Sequence, residues 1–477
     1  MTSSGRVLFI GLDAMDAEIV RELVARGVAP TFAGLWETAA FAPTTNPPGF
    51  IVGATWPTLW SGVWPNCHGS YSTRQLVSGT YELRTASPAE IECEPFWIPI
   101  ARAGNRVRVY DVPLVPLWPH AQCTHVVEWS GHDRIFGAQS SPPTELEALV
   151  RDVGAYALHE ECDQYAERGA WQELHDDLLR GVEQRTTATR RAVEQPDWDL
   201  IVTVFGESHC AGHNLWIRRD LLDDVYVAID RALGEILAAL PPDITVAVLF
   251  SHGIAPAFGG EHLLAEVLRR LDDSYGPPSR LVSMRERIAR PAGRWLHERR
   301  SGDGSLQSVD SRRRFFPVPS VGLQSYVRFN LVGREPRGRV RRGPELDRLT
   351  EALRRDLFDL VDEDTDAPVV RDVWRTADVY SGSIDNLPDL VVEWNPGASS
   401  NSAGSARIGV VRRARGGLRT GEHREPGMLF VRGPEITPGG IEGDVQAIDI
   451  APTVMAMLGV APEGLDGRIL APLARQP

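Results

Sequence analysis

Three short apolar runs, each ending on residues able to bind a ligand, constrain this chain more than any other feature. Residues 6–12 read Arg-Val-Leu-Phe-Ile-Gly-Leu and end at Asp13; residues 198–206 end at Glu207, His209 and His213; residues 244–250 end at Ser251-His252-Gly253. A strand that is apolar at successive positions is buried on both faces, as in a parallel sheet covered by helices. The segments between the runs supply such helices. Residues 16–27 set Ile19, Val20, Leu23 and Val24 along one side and close at Gly27, and residues 220–240 run up to Pro241-Pro242. The alternation predicts an α/β fold, a mostly parallel central sheet with helices on both faces. Ligands in open sheets of this kind collect at the carboxyl ends of the strands, where Asp13, His209, His213, Ser251 and His252 all fall. Taken singly, each has a plainer reading: Asp13 as a helix cap, the histidines as polar surface residues.

A fourth segment, residues 44–71, reads TTNPPGFIVGATWPTLWSGVWPNCHGSY. Thr55-Trp56-Pro57 follows a Pro- and Gly-rich loop and opens an apolar run. Proline is favoured at the first position of a helix. That puts Thr55 at or near an N-cap, where free N–H groups and the positive end of the dipole face an incoming anion. A hydroxyl held there is placed to attack phosphorus; the plainer reading is an ordinary Thr cap. The Trp-, Pro- and His-rich segments 81–97 and 114–139 read as long loops that shape a pocket, with His120, His125 and His132 as pocket or surface histidines. Residues 143–150, 167–194, 344–361 and 450–458 read as helices, and Gly421-Glu422-His423 brings a further imidazole ahead of a strand at 428–432. Residues 259–314 break the alternation with Pro- and Arg-rich sequence and read as an insertion or lid.

A chain of 477 residues, 43% hydrophobic and 24% charged, has the balance of a globular enzyme or binding protein with a sizeable core. Its formal charge of -14 argues against a role in coating nucleic acid; the Arg-rich stretch 280–314 reads as solvated surface. No apolar segment has the length of a membrane span and no cleavage pattern marks a signal peptide, so the expectation is a cytoplasmic protein. Five cysteines, an odd number without zinc-ribbon spacing, lead to the expectation of reduced thiols, with Cys210 a neighbour of the candidate ligands rather than one of them.

Thr55 in its T-W-P setting, the following Ser61-Gly62-x-x-Pro65-x-x-His68-Gly69, and the ordered set Asp13, His209/His213, Ser251-His252 and His423 resemble the type I phosphodiesterase/nucleotide pyrophosphatase family of the alkaline phosphatase superfamily. The resemblance implies an alkaline-phosphatase-like three-layer sandwich, with 1–258 and 315–477 forming the catalytic domain. It implies two zinc-type ions, Zn²⁺ being the expected metal, and a small anionic phosphate-ester substrate. Thr55 is then the nucleophile that forms a covalent phospho-threonine. One ion would use Asp13, Thr55, Ser251 and His252; the other would use His209, His213 and His423.

Two positions depart from the family pattern. His209 stands where the family has Asp, and Ser251 stands where it has the Asp of Ser-Asp-His-Gly, so the pair of sites is less negative by two charges. Three imidazoles with an open fourth position still suit Zn²⁺, whereas a neutral Ser hydroxyl is a poor ligand; Glu207 could supply a carboxylate instead, or cap its loop. Other readings are transfer to an acceptor other than water, cleavage of a phosphonate or sulfate ester, and a catalytically silent anion-binding homologue. Metal content together with turnover of bis(p-nitrophenyl) phosphate separates them.

Overall fold

The computed structural model describes residues 5–130, 134–276, 311–320, 322–399, 401–416 and 419–473. Its contacts divide the chain into two compact units: residues 1–70, 87–257 and 418–477 form the first, and residues 71–86 and 258–417 form the second. The described part of 259–314 therefore groups with 315–417, and residues 277–310, most of the expected insertion and of its Arg-rich stretch, lie outside the described residues.

In the first unit the apolar runs are strands Val7–Leu12, Leu200–Phe205 and Thr245–Phe250 at the middle of a sheet. Together with Val107–Tyr110 and Cys123–Val127 they pair in parallel, while Gly427–Arg432 joins antiparallel to Thr245–Phe250 and carries Ala40–Thr45 antiparallel beyond it. The sheet is mostly parallel, as expected. Alternation along Val7–Leu12 divides the core. Leu8, Ile10 and Leu12 enter one apolar cluster, with helices Ala17–Ala25, Trp171–Val193 and Arg219–Ala238. Val7 and Phe9 enter the other, with helices Thr55–Ser61, Trp97–Arg102 and Ile450–Met457. Helices thus cover both faces, and the apolar surface so removed from water contributes roughly 25 cal/mol per Å².

Register does the positioning. Leu12 is paired with both Phe205 and Phe250, so the chain leaves the three strands side by side at Asp13, Gly206 and Ser251. The Asp13 N–H still bonds the Phe205 carbonyl at 2.9 Å, and the Ser251 N–H bonds that of Leu12 at 3.2 Å. A short antiparallel ribbon, Gly253–Pro256 with Gly421–Arg424, sets His423 opposite Ile254. Asp16 ties this ribbon to the sheet: its Oδ1 caps helix Ala17–Ala25 through the Glu18 and Ile19 N–H groups at 3.0 Å, and its Oδ2 accepts from the Ile254 N–H and from Arg424 Nε at 3.0 and 2.7 Å. A Cβ on Gly253 would lie 2.4 Å from that same Oδ2, which is why the residue after His252 is glycine.

The second unit has a four-stranded antiparallel sheet, Phe315–Val318, Gln324–Phe329, Leu390–Trp394 and Val370–Arg375, with helices Glu261–Ser274 and Pro344–Phe358 packed on its own apolar cluster. Among the described residues no helix is long and apolar enough to cross a membrane.

Two expectations are corrected. Cys162 and Cys210 form a disulfide, with Cα atoms 5.7 Å apart, rather than free thiols. Helix Glu207–Leu215 docks on the short helix Cys162–Glu167 and brings the two buried sulfurs together, a pairing over 48 residues that spacing alone does not encode. His125 is neither a pocket nor a surface residue. It lies on an inner strand opposite Val109, fully buried against the edge of Trp97 with centroids 5.7 Å apart. His120 accepts the Gln122 N–H at 3.1 Å, and His132 lies outside the described residues.

Candidate active site

Helix Glu207–Leu215 starts directly after strand Leu200–Phe205 and is buried along its whole length. Its i, i+4 histidines therefore share a face. His213 Nδ1 lies 2.8 Å from the Gly421 carbonyl oxygen, so this nitrogen carries the proton and Nε2 presents a lone pair. That Nε2 is 3.2 Å from His209 Nε2 and 2.9 Å from His423 Nε2. Nitrogens about 2.05 Å from a tetrahedral zinc ion are separated by about 3.3 Å, close to these distances. Among the described residues, His209, His213 and His423 are the group whose ligand atoms converge as a metal site would require, and all three are buried. Three imidazoles turned toward one point repel through their lone pairs unless a cation or shared protons lie between them.

His252 extends the cluster toward Asp13. Its Nδ1 is 3.0 Å from His423 Nδ1, and its Nε2 is 3.8 Å from Asp13 Oδ1. Burial lowers the His252 pKa from its ordinary value, with Asp13 opposing, so the ring is held neutral.

The Asp13 side is built differently. Asp13 Oδ1 accepts the Trp56 indole N–H at 2.8 Å and the Ser251 hydroxyl at 2.8 Å, and Ser251 Oγ in turn accepts the Ala14 N–H at 3.1 Å. Trp56 reaches the carboxylate because residue 11 is glycine: a Cβ there would meet Trp56 Cη2 at 2.7 Å.

Thr55 is the first residue of helix Thr55–Ser61, next to the cap Ala54, and Pro57 falls at the third position rather than the first. The chain winds early, the Thr55 N–H already bonding the Ile51 carbonyl at 3.2 Å, and the Thr55 hydroxyl donates to the same carbonyl at 2.8 Å. His68 braces this helix from behind: its Nδ1 accepts the Ser70 N–H at 3.1 Å and its Nε2 meets Thr58 Oγ1 at 2.9 Å. Burial lowers the His68 pKa to about 3, so the ring is a neutral clip. Glu207 turns away from the imidazoles. Its carboxyl, raised in pKa by burial with Arg185 opposing, accepts the Tyr156 hydroxyl, and Arg185 pairs with Asp111 at 2.8 Å.

The sequence pattern of the family described as "Type I phosphodiesterase / nucleotide pyrophosphatase" matches residues 7–416. The chain belongs to the type I phosphodiesterase/nucleotide pyrophosphatase family. It is therefore one of a family of divalent-metal-dependent enzymes that hydrolyse phosphoryl esters. Within this family match lie all the candidate residues except His423. Solved structures share the fold at low identity. Phosphonoacetate hydrolase from Sinorhizobium meliloti 1021, in complex with phosphonoacetate, is 12% identical with a TM-score of 0.58, over 94% of this chain and 95% of that one. Murine ectonucleotide pyrophosphatase/phosphodiesterase 5, an inactive variant in complex with AMP, is 12% identical with a TM-score of 0.55, over 99% and 100%. The human form of that protein gives 12% and 0.53 over the same shares. No curated protein matches the chain.

Two residues beside the candidate site have contacts that no motif in the sequence marks. Trp56 opens an apolar run, and its approach to Gly11 and, across 43 residues, to Asp13 has no local signal. Arg419 sits with Nη1 3.5 Å from His213 Nε2, and nothing in its Arg- and Gly-rich surroundings marks it out.

Proposed function

We propose that this chain hydrolyses a phosphodiester or related phosphoryl bond, with Thr55 as nucleophile and a divalent ion held by His209, His213 and His423. The observation that carries the reading is the convergence of three buried imidazole nitrogens on one point, with the His213 tautomer fixed by the Gly421 carbonyl. Three nitrogen donors with a fourth position open suit Zn²⁺. Such an ion, when bound, lowers the pKa of a coordinated oxygen and offsets phosphoryl charge. Thr55 Oγ1 gives up its proton and bonds to phosphorus as the bond to the leaving oxygen breaks and that oxygen takes up a proton from water; a second water then cleaves the phospho-threonine and returns a proton to Oγ1. Its backbone amide and hydroxyl are both tied to Ile51, which fixes the direction of the remaining Oγ1 lone pairs. His252 supports His423 from the outside. Asp13, Thr55, Ser251 and His252 fit a second ion less well, because Asp13 Oδ1 already receives two donors and Ser251 spends its proton on it.

Elemental analysis of the purified chain should find about one zinc-type ion, lost in His209→Ala. Thr55→Ala should keep the ion and lose at least about 10³-fold in turnover of bis(p-nitrophenyl) phosphate. Retention of the metal in His209→Ala, or unchanged turnover in Thr55→Ala, sinks the reading.

A further inference from the structure

Arg419 is divided between two tasks by its planar fork. Nε lies 2.9 Å from both Asp163 carboxylate oxygens and Nη2 lies 2.8 Å from Oδ2, while Nη1 turns to the imidazole cage, 3.5 Å from His213 Nε2. Its side chain is 29% exposed, so the guanidinium stands at a boundary between the cage and solvent. Nη1 donates weakly to the His213 Nε2 lone pair; once that lone pair holds a cation the N–H is released, and it then gains from an anion lying in front of both. The carboxylates missing at His209 and Ser251 act in the same direction, because their absence leaves more uncompensated positive charge for the ligand to meet.

We propose that Arg419 is the substrate-binding cation of this site: its Nη1 takes a non-bridging phosphoryl oxygen, and it favours a terminal, doubly charged phosphoryl group, as in a phosphomonoester or phosphonate, over a singly charged diester. The inference rests on the three-imidazole cage being the seat of the phosphoryl chemistry. A dianion gains about twice the Coulomb stabilisation of a monoanion from the same fixed charge. Asp163 holds the fork in place and is a positioning residue. The competing account makes the Arg419–Asp163 pair only a clip between helix Cys162–Glu167 and the approach to strand Gly421–Arg424.

The test uses the full zinc-loaded chain with Arg419→Ala and Asp163→Asn, inorganic phosphate as the binding probe, and p-nitrophenyl phosphate and bis(p-nitrophenyl) phosphate as substrates. Arg419→Ala should keep its zinc and weaken phosphate binding about 10- to 100-fold, the range for a charge-assisted hydrogen bond. Its kcat/KM should fall about tenfold more on the monoester than on the diester. Asp163→Asn keeps the cation but loosens its fork, and should weaken phosphate binding by about threefold to tenfold, less than Arg419→Ala. Equal loss of phosphate binding in both variants, loss of zinc in Arg419→Ala, or an unchanged substrate ratio overturns the proposal. A parent chain that binds zinc and phosphate yet cleaves neither ester refutes the hydrolase reading, while the phosphate comparison still decides Arg419. A parent that binds no zinc or no phosphate overturns both.

Discussion

The two halves of the candidate site end on neighbouring strands of one sheet and are finished in opposite ways. Around His209, His213 and His423, nitrogen lone pairs converge and the outer contacts, the Gly421 carbonyl on His213 and the His252 ring on His423, are placed to accept or share the protons of the far nitrogens. Around Asp13, the carboxylate oxygen Oδ1 is engaged internally, by the Trp56 indole and the Ser251 hydroxyl. Polar groups already satisfied by good donors gain little by exchanging those partners for a metal, whereas imidazole nitrogens that face one another in a buried cage gain much from a cation between them. The contrast teaches that losing two acidic residues has unequal consequences. An imidazole in place of a carboxylate keeps a ligand, whereas a hydroxyl beside a carboxylate ties it up.

Restoring the missing acid makes the largest change. Ser251→Asp places a second carboxylate beside Asp13, where without a cation the like charges repel and cost about 1–3 kcal/mol of stability. With zinc in excess, the variant should bind one more equivalent than the parent and regain that stability as ligand linkage. Elemental analysis and thermal unfolding with and without zinc check it. A variant that stays at the parent stoichiometry would show that the Asp13 side lacks more than one acid.

Next in size is the outer support of the cage. His252 faces His423 Nδ1 at 3.0 Å, and groups that orient a ligating imidazole from behind are worth about 10- to 100-fold in metal affinity. His252→Phe keeps a ring of similar shape and removes both nitrogens, so it should weaken zinc binding by that factor while leaving the stoichiometry unchanged, as read by competition with a chelator. If His252 belongs instead to a second metal site, the same variant loses an ion and leaves the affinity of the first intact. That outcome would erase the contrast between the two halves.

Legibility in the sequence follows from the range of the interactions. The strands Val7–Leu12, Leu200–Phe205 and Thr245–Phe250 were readable because burial on both faces writes itself as an unbroken apolar run. The position of His209 and His213 just beyond one of them followed at once. What decides the character of the Asp13 side is a pair of contacts made across 43 and 238 residues, by Trp56 and by Ser251, and no local pattern carries them. The same holds for the Cys162–Cys210 bridge, and for residues 71–86, which group with a unit that otherwise begins at 258. Thr55 does fall beside the cap, as the first residue of its helix, but the proline differs for a local reason: the turn from Ile51 already has helical hydrogen bonding, so Pro57 marks the third residue of the helix and not its first.

The smallest effect is a coupling of about 1 kcal/mol that tests how Trp56 is held against Asp13. Trp56→Phe removes the indole N–H and should cost about 1.5–3 kcal/mol, the range for a hydrogen bond to a charged group, part of it from the space left over Gly11. Gly11→Ala alone should also destabilise, because its Cβ would meet Trp56 Cη2 at 2.7 Å and Val204 Cγ2 at 3.0 Å. Phe lacks the atom responsible for the closer clash, so the added methyl then fills space instead of colliding. The double variant should therefore be more stable than the sum of the single losses by about 1 kcal/mol or more, a coupling of the size found between residues in contact. Additive losses in denaturant unfolding would mean that the ring does not rest on Gly11, and a negligible cost of Trp56→Phe alone would mean that the indole does not hold Asp13 Oδ1.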